Sequence, residues 1–301
     1  MLRISLAIAL VAGSFSTMVA PEPASAGPVV DRIKAAGKVV VGYREGAAPF
    51  SFKNEQGQPA GYVIDVCQAV AEDLKGQLGV ADLPVEWAPV PADDPFSAVK
   101  EGKVDFVCGA TETLSRRKDV SFSIPIFQSG LGVLVRSDTP VALRQVLGGD
   151  PAGPVWRGSP ARVLDKKTFA VIKGTTSEDI LKGTLSRLQI SANITEVESF
   201  QAGVGAILDR SADVLLGDRS ILVEAAQSSP QATDLLVIDR IFTTEPVALP
   251  LDRNDEDFRL AVDQALSNLY RADRFKDIYR KWFGEPDEAA LDYFRAVALP
   301  D

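Results

Sequence analysis

Short apolar runs of strand length alternate along this chain with longer stretches of helical period, and the alternation breaks once and then begins again. Lys38 to Gly42 reads as a buried strand, and Val63 to Leu74 places Val63, Val66, Cys67, Val70, Ala71 and Leu74 on one helical face. Val85 and Trp87 mark a short strand, Phe96 to Lys100 a short helix, and Val104 to Cys108 a further apolar strand. Strands separated in this way by helices build parallel sheets, so the fold class is α/β.

Leu131 to Arg136 reads as another strand and is followed by Ser137-Asp138-Thr139-Pro140, a break taken as the crossing into a second domain. There the pattern restarts, with strands at Phe169 to Ile172 and Ala212 to Leu216 and helices at Ser177 to Leu188 and Phe200 to Leu208. Residues 146–166, rich in glycine and proline, read as a surface excursion within which a short helix is compatible. Near the C-terminus, Phe258, Val262, Ala265, Leu266 and Leu269 give a helical apolar face, and Trp282 and Phe283 read as core anchors. The resulting division is a discontinuous lobe 1 (27–135 and 246–301) and a lobe 2 (136–245), joined by crossings near Gly132 to Arg136 and Thr243 to Leu251.

The first 26 residues have one base, an apolar stretch from Ile4 to Ala12 and a small-residue Ala24-Ser25-Ala26 site, the pattern of a cleaved secretory signal peptide. That stretch is too short to span a bilayer, and an exported, periplasmic chain is expected. The net charge of −9 argues against nucleic acid or an anionic membrane as partner. The chain has no histidine, which excludes Ser-His-Asp and Cys-His nucleophile arrangements. With two cysteines and no histidine, no metal site and no cofactor are expected. Cys67 and Cys108 could pair in an oxidising compartment or be two small buried side chains.

Four polar loops follow strand-like segments, where open α/β sheets collect ligands. Arg44 follows the first strand; Gly109, Thr111, Thr113 and Arg116 lie in GATETLSRR; Thr175 and Thr176 lie in GTTSE; and Asp218 follows ADVLLG. An arginine fork with hydroxyls and backbone N–H groups suits a carboxylate, and an aspartate suits an ammonium. The bland readings are a Thr175–Glu178 capping box, a turn-forming Asp218 and an exposed Arg44.

With these loops in place, the chain resembles the solute-binding proteins of polar amino-acid ABC transporters. The likeness runs from about Val39 to Gly284 through PFSFKNEQGQPAGYVIDVCQAVAEDL, the G-x-T-x-T-x-x-R pattern of GATETLSR, SFSIPIF, GTTSE, ADVLLGD and KWFG. It implies a two-lobe periplasmic-binding-protein type II fold with two hinge crossings. It also implies Arg116, Thr111 and Thr175 on the ligand α-carboxylate, with Thr176 beside them, and Gly109 (through its carbonyl) and Asp218 on the α-ammonium. Thr113 would brace its own loop and Arg117 would be solvated. YREGAAPFSF is similar to the matching segment of glutamate/aspartate-binding proteins, so Arg44 is expected to meet a distal carboxylate. The chain departs from the family at Val63, in the long excursion, in EPVALPL, which lacks a frequent aromatic, and in having no histidine.

The resemblance implies a monomeric receptor that captures a small-molecule amino acid, glutamate or aspartate favoured, and presents it to an ABC permease in the inner membrane. Two alternatives stand beside it. One is a cyclohexadienyl/arogenate dehydratase-like enzyme, for which Glu45 and Glu112 are the carboxylates in the binding loops; the other is a ligand-sensing partner of a receptor.

Overall fold

The computed structural model describes residues 27–91, 93–149 and 160–300. The expected signal segment 1–26 and the centre of the excursion, 150–159, lie outside the described residues. The chain forms two α/β units, each built on its own sheet. In the first, the strand order is Val85–Pro89, Val39–Tyr43, Phe106–Val107, Pro250–Leu251 and Ser121–Phe122. The first three are parallel neighbours and the last two join antiparallel. Val39–Tyr43 is an interior strand, apolar along its length, as a strand covered on both faces must be.

Helix Tyr62–Gln77 packs Val63, Val66, Val70 and Leu74 into the core, as its period predicts. It starts at Gly61 because no other residue fits: φ is 132°, and a Cβ there would lie 2.0 Å from the Phe50 carbonyl oxygen. Helices Glu256–Arg271 and Asp273–Phe283 cover the same unit. Phe283 lies against Phe50, Tyr62 and Phe127, while the Trp282 indole donates to Asp65 at 2.7 Å. Both are half-buried anchors at the edge of the core. Cys67 and Cys108 form a disulfide, Cα atoms 6.1 Å apart, which ties this helix to the residue before Gly109.

The second sheet runs Asn193–Val197, Thr168–Ile172, Val214–Asp218, Phe127–Arg136, Thr244–Ala248 and Ala110–Thr111, with Leu235–Val237 also paired to the long strand. Around it lie helices Val141–Gly148, Thr176–Leu188, Phe200–Leu208 and Arg219–Gln227. Among the described residues, no helix is long and apolar enough to cross a membrane.

Three local expectations shift. The apolar run Val104 to Cys108 yields only the short strand Phe106–Val107, because the Asp105 carboxylate takes the Val40 N–H at 2.7 Å. The excursion begins later than residue 146, since helix Val141–Gly148 buries Leu143 and Leu147 one turn apart, and a 3₁₀ turn occupies Pro160–Leu164. The expected first crossing, Gly132 to Arg136, is paired instead with Val214–Asp218 and Leu235–Val237. The passage between units runs through the polar Gln128-Ser129-Gly130, paired with Thr244 to Pro246. Beyond it the chain re-enters the first sheet at Pro250–Leu251.

Candidate functional site

Where the two crossing strands lie side by side, the units enclose a cavity of about 110 Å³. It is far smaller than the about 300–1,000 Å³ of a drug-sized pocket, so it suits a ligand of few heavy atoms. Six of the seven sequence-derived residues line it: Arg44, Gly109, Thr111, Thr175, Thr176 and Asp218. The seventh, Arg116, stands just behind the wall. Its guanidinium donates to the Thr111 carbonyl at 2.8 Å and, across to the other unit, to the Gly174 carbonyl at 3.3 Å, and it lies over Phe96.

Each polar group is held by its own element. Gly109 has φ 84°, which turns the chain out of the strand end. Thr113 accepts from the Arg116 N–H at 3.1 Å, so it braces its own loop as expected. Arg117 is exposed and ion-paired with Glu112. Asp218 caps helix Arg219–Gln227, accepting from the N–H groups of Ser220 (2.8 Å) and Ile221 (3.1 Å), and also accepts from the Ser129 hydroxyl.

The GTTSE loop does not form the capping box of the bland reading, and its Thr175 hydroxyl is not free to donate to a ligand. The Thr175 hydroxyl donates to the Ile172 carbonyl at 2.7 Å, and the Glu178 carboxylate accepts from the Gly174 N–H at 2.7 Å. Thr175 therefore offers the cavity hydroxyl lone pairs and not a hydroxyl donor. Donor groups at this loop are the Thr176 and Ser177 backbone N–H groups of the first turn of Thr176–Leu188, whereas the Glu178 N–H already donates to the Thr175 carbonyl at 3.1 Å. The Thr176 hydroxyl donates to Glu245 at 2.9 Å.

Among the polar wall residues that sequence reasoning missed are Ser129 and Glu245. They are direct cross-strand partners in the two crossing segments, so their side chains share a face. The available signal was the polar start of each run, Gln128-Ser129 ahead of GLGVLV and Glu245 ahead of PVALPL.

The electrostatics of this space are unusual. Burial, then the charge of Arg116, pushes the Arg44 pKa down; burial also lowers that of Arg116, against the attraction of Glu245 and Asp179. Burial raises the Asp218 pKa, Glu245 adds to the rise, and Ser129 and the two helix N–H groups oppose it. Among the described residues none of Arg44, Arg116, Asp218 and Glu245 has an ion-pair partner, although charges of both signs surround one small space. Charges drawn from water without an opposite charge beside them are costly, and a ligand with complementary poles would supply it. Neither Glu45, paired with Lys53, nor Glu112, paired with Arg117, lines the cavity. Among the described residues no group of three or more potential metal ligands occurs.

Residues 39–285 match the family described as bacterial extracellular solute-binding proteins, family 3. The L-glutamate/L-aspartate-binding protein of Pseudomonas aeruginosa is 26% identical over 283 residues, 93% of this chain and 87% of that protein. The glutamate/aspartate import solute-binding protein of Salmonella typhimurium is 25% identical over 264 residues, 87% of this chain and 82% of its own. Among solved structures, an ancestral amino acid-binding protein, a precursor of cyclohexadienyl dehydratase, superposes with a TM-score of 0.69 at 29% identity. It covers 84% of this chain and 99% of the ancestral one.

Proposed function

This chain belongs to the bacterial extracellular solute-binding proteins of family 3, and on that premise we propose that it captures one polar amino acid, glutamate or aspartate, and delivers it to an ABC permease. The observation that carries the reading is the set of Arg44, Asp218 and Glu245 in the wall of a cavity of about 110 Å³, with Arg116 just behind that wall, none of the four having an ion-pair partner among the described residues. A zwitterion with a second carboxylate has poles for each of them. Arg116, the Thr111 hydroxyl and the first-turn N–H groups of Thr176–Leu188 take the α-carboxylate, and Asp218 and the Gly109 carbonyl take the α-ammonium. Arg44 takes the distal carboxylate, since a cation there penalises lysine and arginine as ligands. The names of the Pseudomonas and Salmonella relatives agree with that choice.

The mechanism we infer is closure of the first unit onto the second about the crossing strands that pair Gln128 to Gly130 with Thr244 to Pro246. Donors and acceptors on both lobes touch the ligand together only when the cleft is shut, and that differential shifts the equilibrium. Arg116 reaching the Gly174 carbonyl is one contact of the shut form. We further infer export to the periplasm with loss of residues 1–26, and action as a monomer. A thermal-shift screen against the common amino acids tests the reading, since a ligand that binds only the folded state raises its melting temperature. L-Glutamate or L-aspartate should give the largest shift; a larger shift from lysine or arginine would refute the assignment of Arg44.

A further inference from the structure

We infer that Glu245, on the returning crossing strand, is a second acidic determinant of the ammonium pole, so that the site demands a protonated amine more strongly than Asp218 alone would. The inference rests on the zwitterion reading above and names the part of the ligand that the crossing strand recognises.

The geometry is specific. Glu245 pairs in register with Ser129, whose hydroxyl binds Asp218, so acceptors from both crossing strands and from the strand Val214–Asp218 stand side by side in the cavity wall. One Glu245 oxygen accepts from the Thr176 hydroxyl at 2.9 Å, which aims the carboxylate into the space between the units. Its charge is close enough to Asp218 to raise that group's pKa, and neither carboxylate has an ion-pair partner among the described residues. Arg116 feels Glu245 electrostatically but forms no hydrogen bond or ion pair with it. Two carboxylates that repel one another beside a small cavity are stabilised by a cation between them, and an ammonium with three donors can bridge Asp218, Glu245 and the Gly109 carbonyl. Because Glu245 belongs to the crossing itself, the amine would also tie the ligand to the segment about which closure occurs.

The test compares L-glutamate with glutarate, its deaminated analogue, by isothermal titration on the full chain. Glu245→Gln keeps an oxygen for the Thr176 hydroxyl, removes the charge and turns the second oxygen into an NH2 donor that repels an ammonium. L-Glutamate affinity should fall at least tenfold, glutarate affinity should stay level or rise, and Glu245→Asp should recover part of the glutamate affinity. Unchanged L-glutamate affinity in Glu245→Gln, an equal loss for both compounds, or no recovery in Glu245→Asp would overturn the inference. Wild-type binding of L-glutamate tests the ligand assignment separately; if another amino acid binds instead, the same comparison is made with it and its deaminated analogue. A wild type that binds no amino acid overturns both readings.

Discussion

Arg44 should weaken the free protein and strengthen the liganded one, and a single substitution separates the two effects. Its guanidinium is half-buried, lies near the like charge of Arg116 and has no carboxylate partner among the described residues. Arg44→Met keeps an unbranched chain of similar length and deletes the charge. An unsatisfied buried polar group costs about 1–3 kcal/mol. The low end applies because Arg44 keeps some exposure and faces a cavity. The free variant should therefore be more stable by about 1 kcal/mol, or roughly 2 °C in melting temperature for a chain of this size. Truncating one partner of a buried charge pair costs about 2–5 kcal/mol of binding. That is roughly 30-fold to several-thousand-fold weaker binding of L-glutamate. At a ligand concentration of about 100 times the wild-type Kd, the wild type gains about 2.7 kcal/mol, whereas a variant weakened about 30-fold gains under about 1 kcal/mol. Calorimetric melting should then give a crossover: variant above wild type without ligand, below it with ligand. A free variant that melts lower than the wild type, or equal ligand-induced shifts in the two proteins, would refute the reasoning.

Asp218→Asn should divide the cap from the ligand role. Asn caps as well as Asp, so it can still accept from Ser220 and Ile221, and because a buried charge is removed the free protein should lose no stability to urea while amino-acid affinity drops at least tenfold by titration calorimetry. Acid should weaken binding through the same residue. Its raised pKa means that the folded chain holds this proton more tightly than the unfolded chain, so ionisation of Asp218 costs stability above the ordinary carboxylate range, and that cost disappears as pH falls through the raised value. Binding has the opposite sign, because the ammonium needs the ionised form. Affinity measured from roughly pH 8 down to pH 4 should begin to fall above the pH at which an ordinary aspartate titrates. Reducing the disulfide between Cys67 and Cys108, 41 residues apart, should lower the stability to urea by about 4 kcal/mol and weaken binding, since the bridge anchors the loop that carries Gly109.

The strand–helix alternation was legible because burial leaves a period in each segment: Val39–Tyr43, Tyr62–Gln77, Thr168–Ile172 and Phe200–Leu208 each announce themselves locally. Helix Arg219–Gln227 and strand Leu235–Val237 did not, being short and flanked by polar residues that blur the period. The candidate loops were legible too, since GATETLSRR and GTTSE put ligand-type donors where strands end. What they do there was not: the Thr175 hydroxyl turned back to Ile172, and Arg116 reaches a carbonyl of the opposite unit.

By itself, then, the sequence determined most of the elements, their two-part organisation and the loops that bring Arg44, Thr111, Thr175, Thr176 and Asp218 to the cavity. Only the tertiary structure decided that Ser129 and Glu245 stand together beside Asp218, and that the crossing begins at Phe127. The physical reason is that burial is a property of each local segment. Which unpaired charges meet in one cavity depends instead on the register between strands far apart in the chain, and no local period records that.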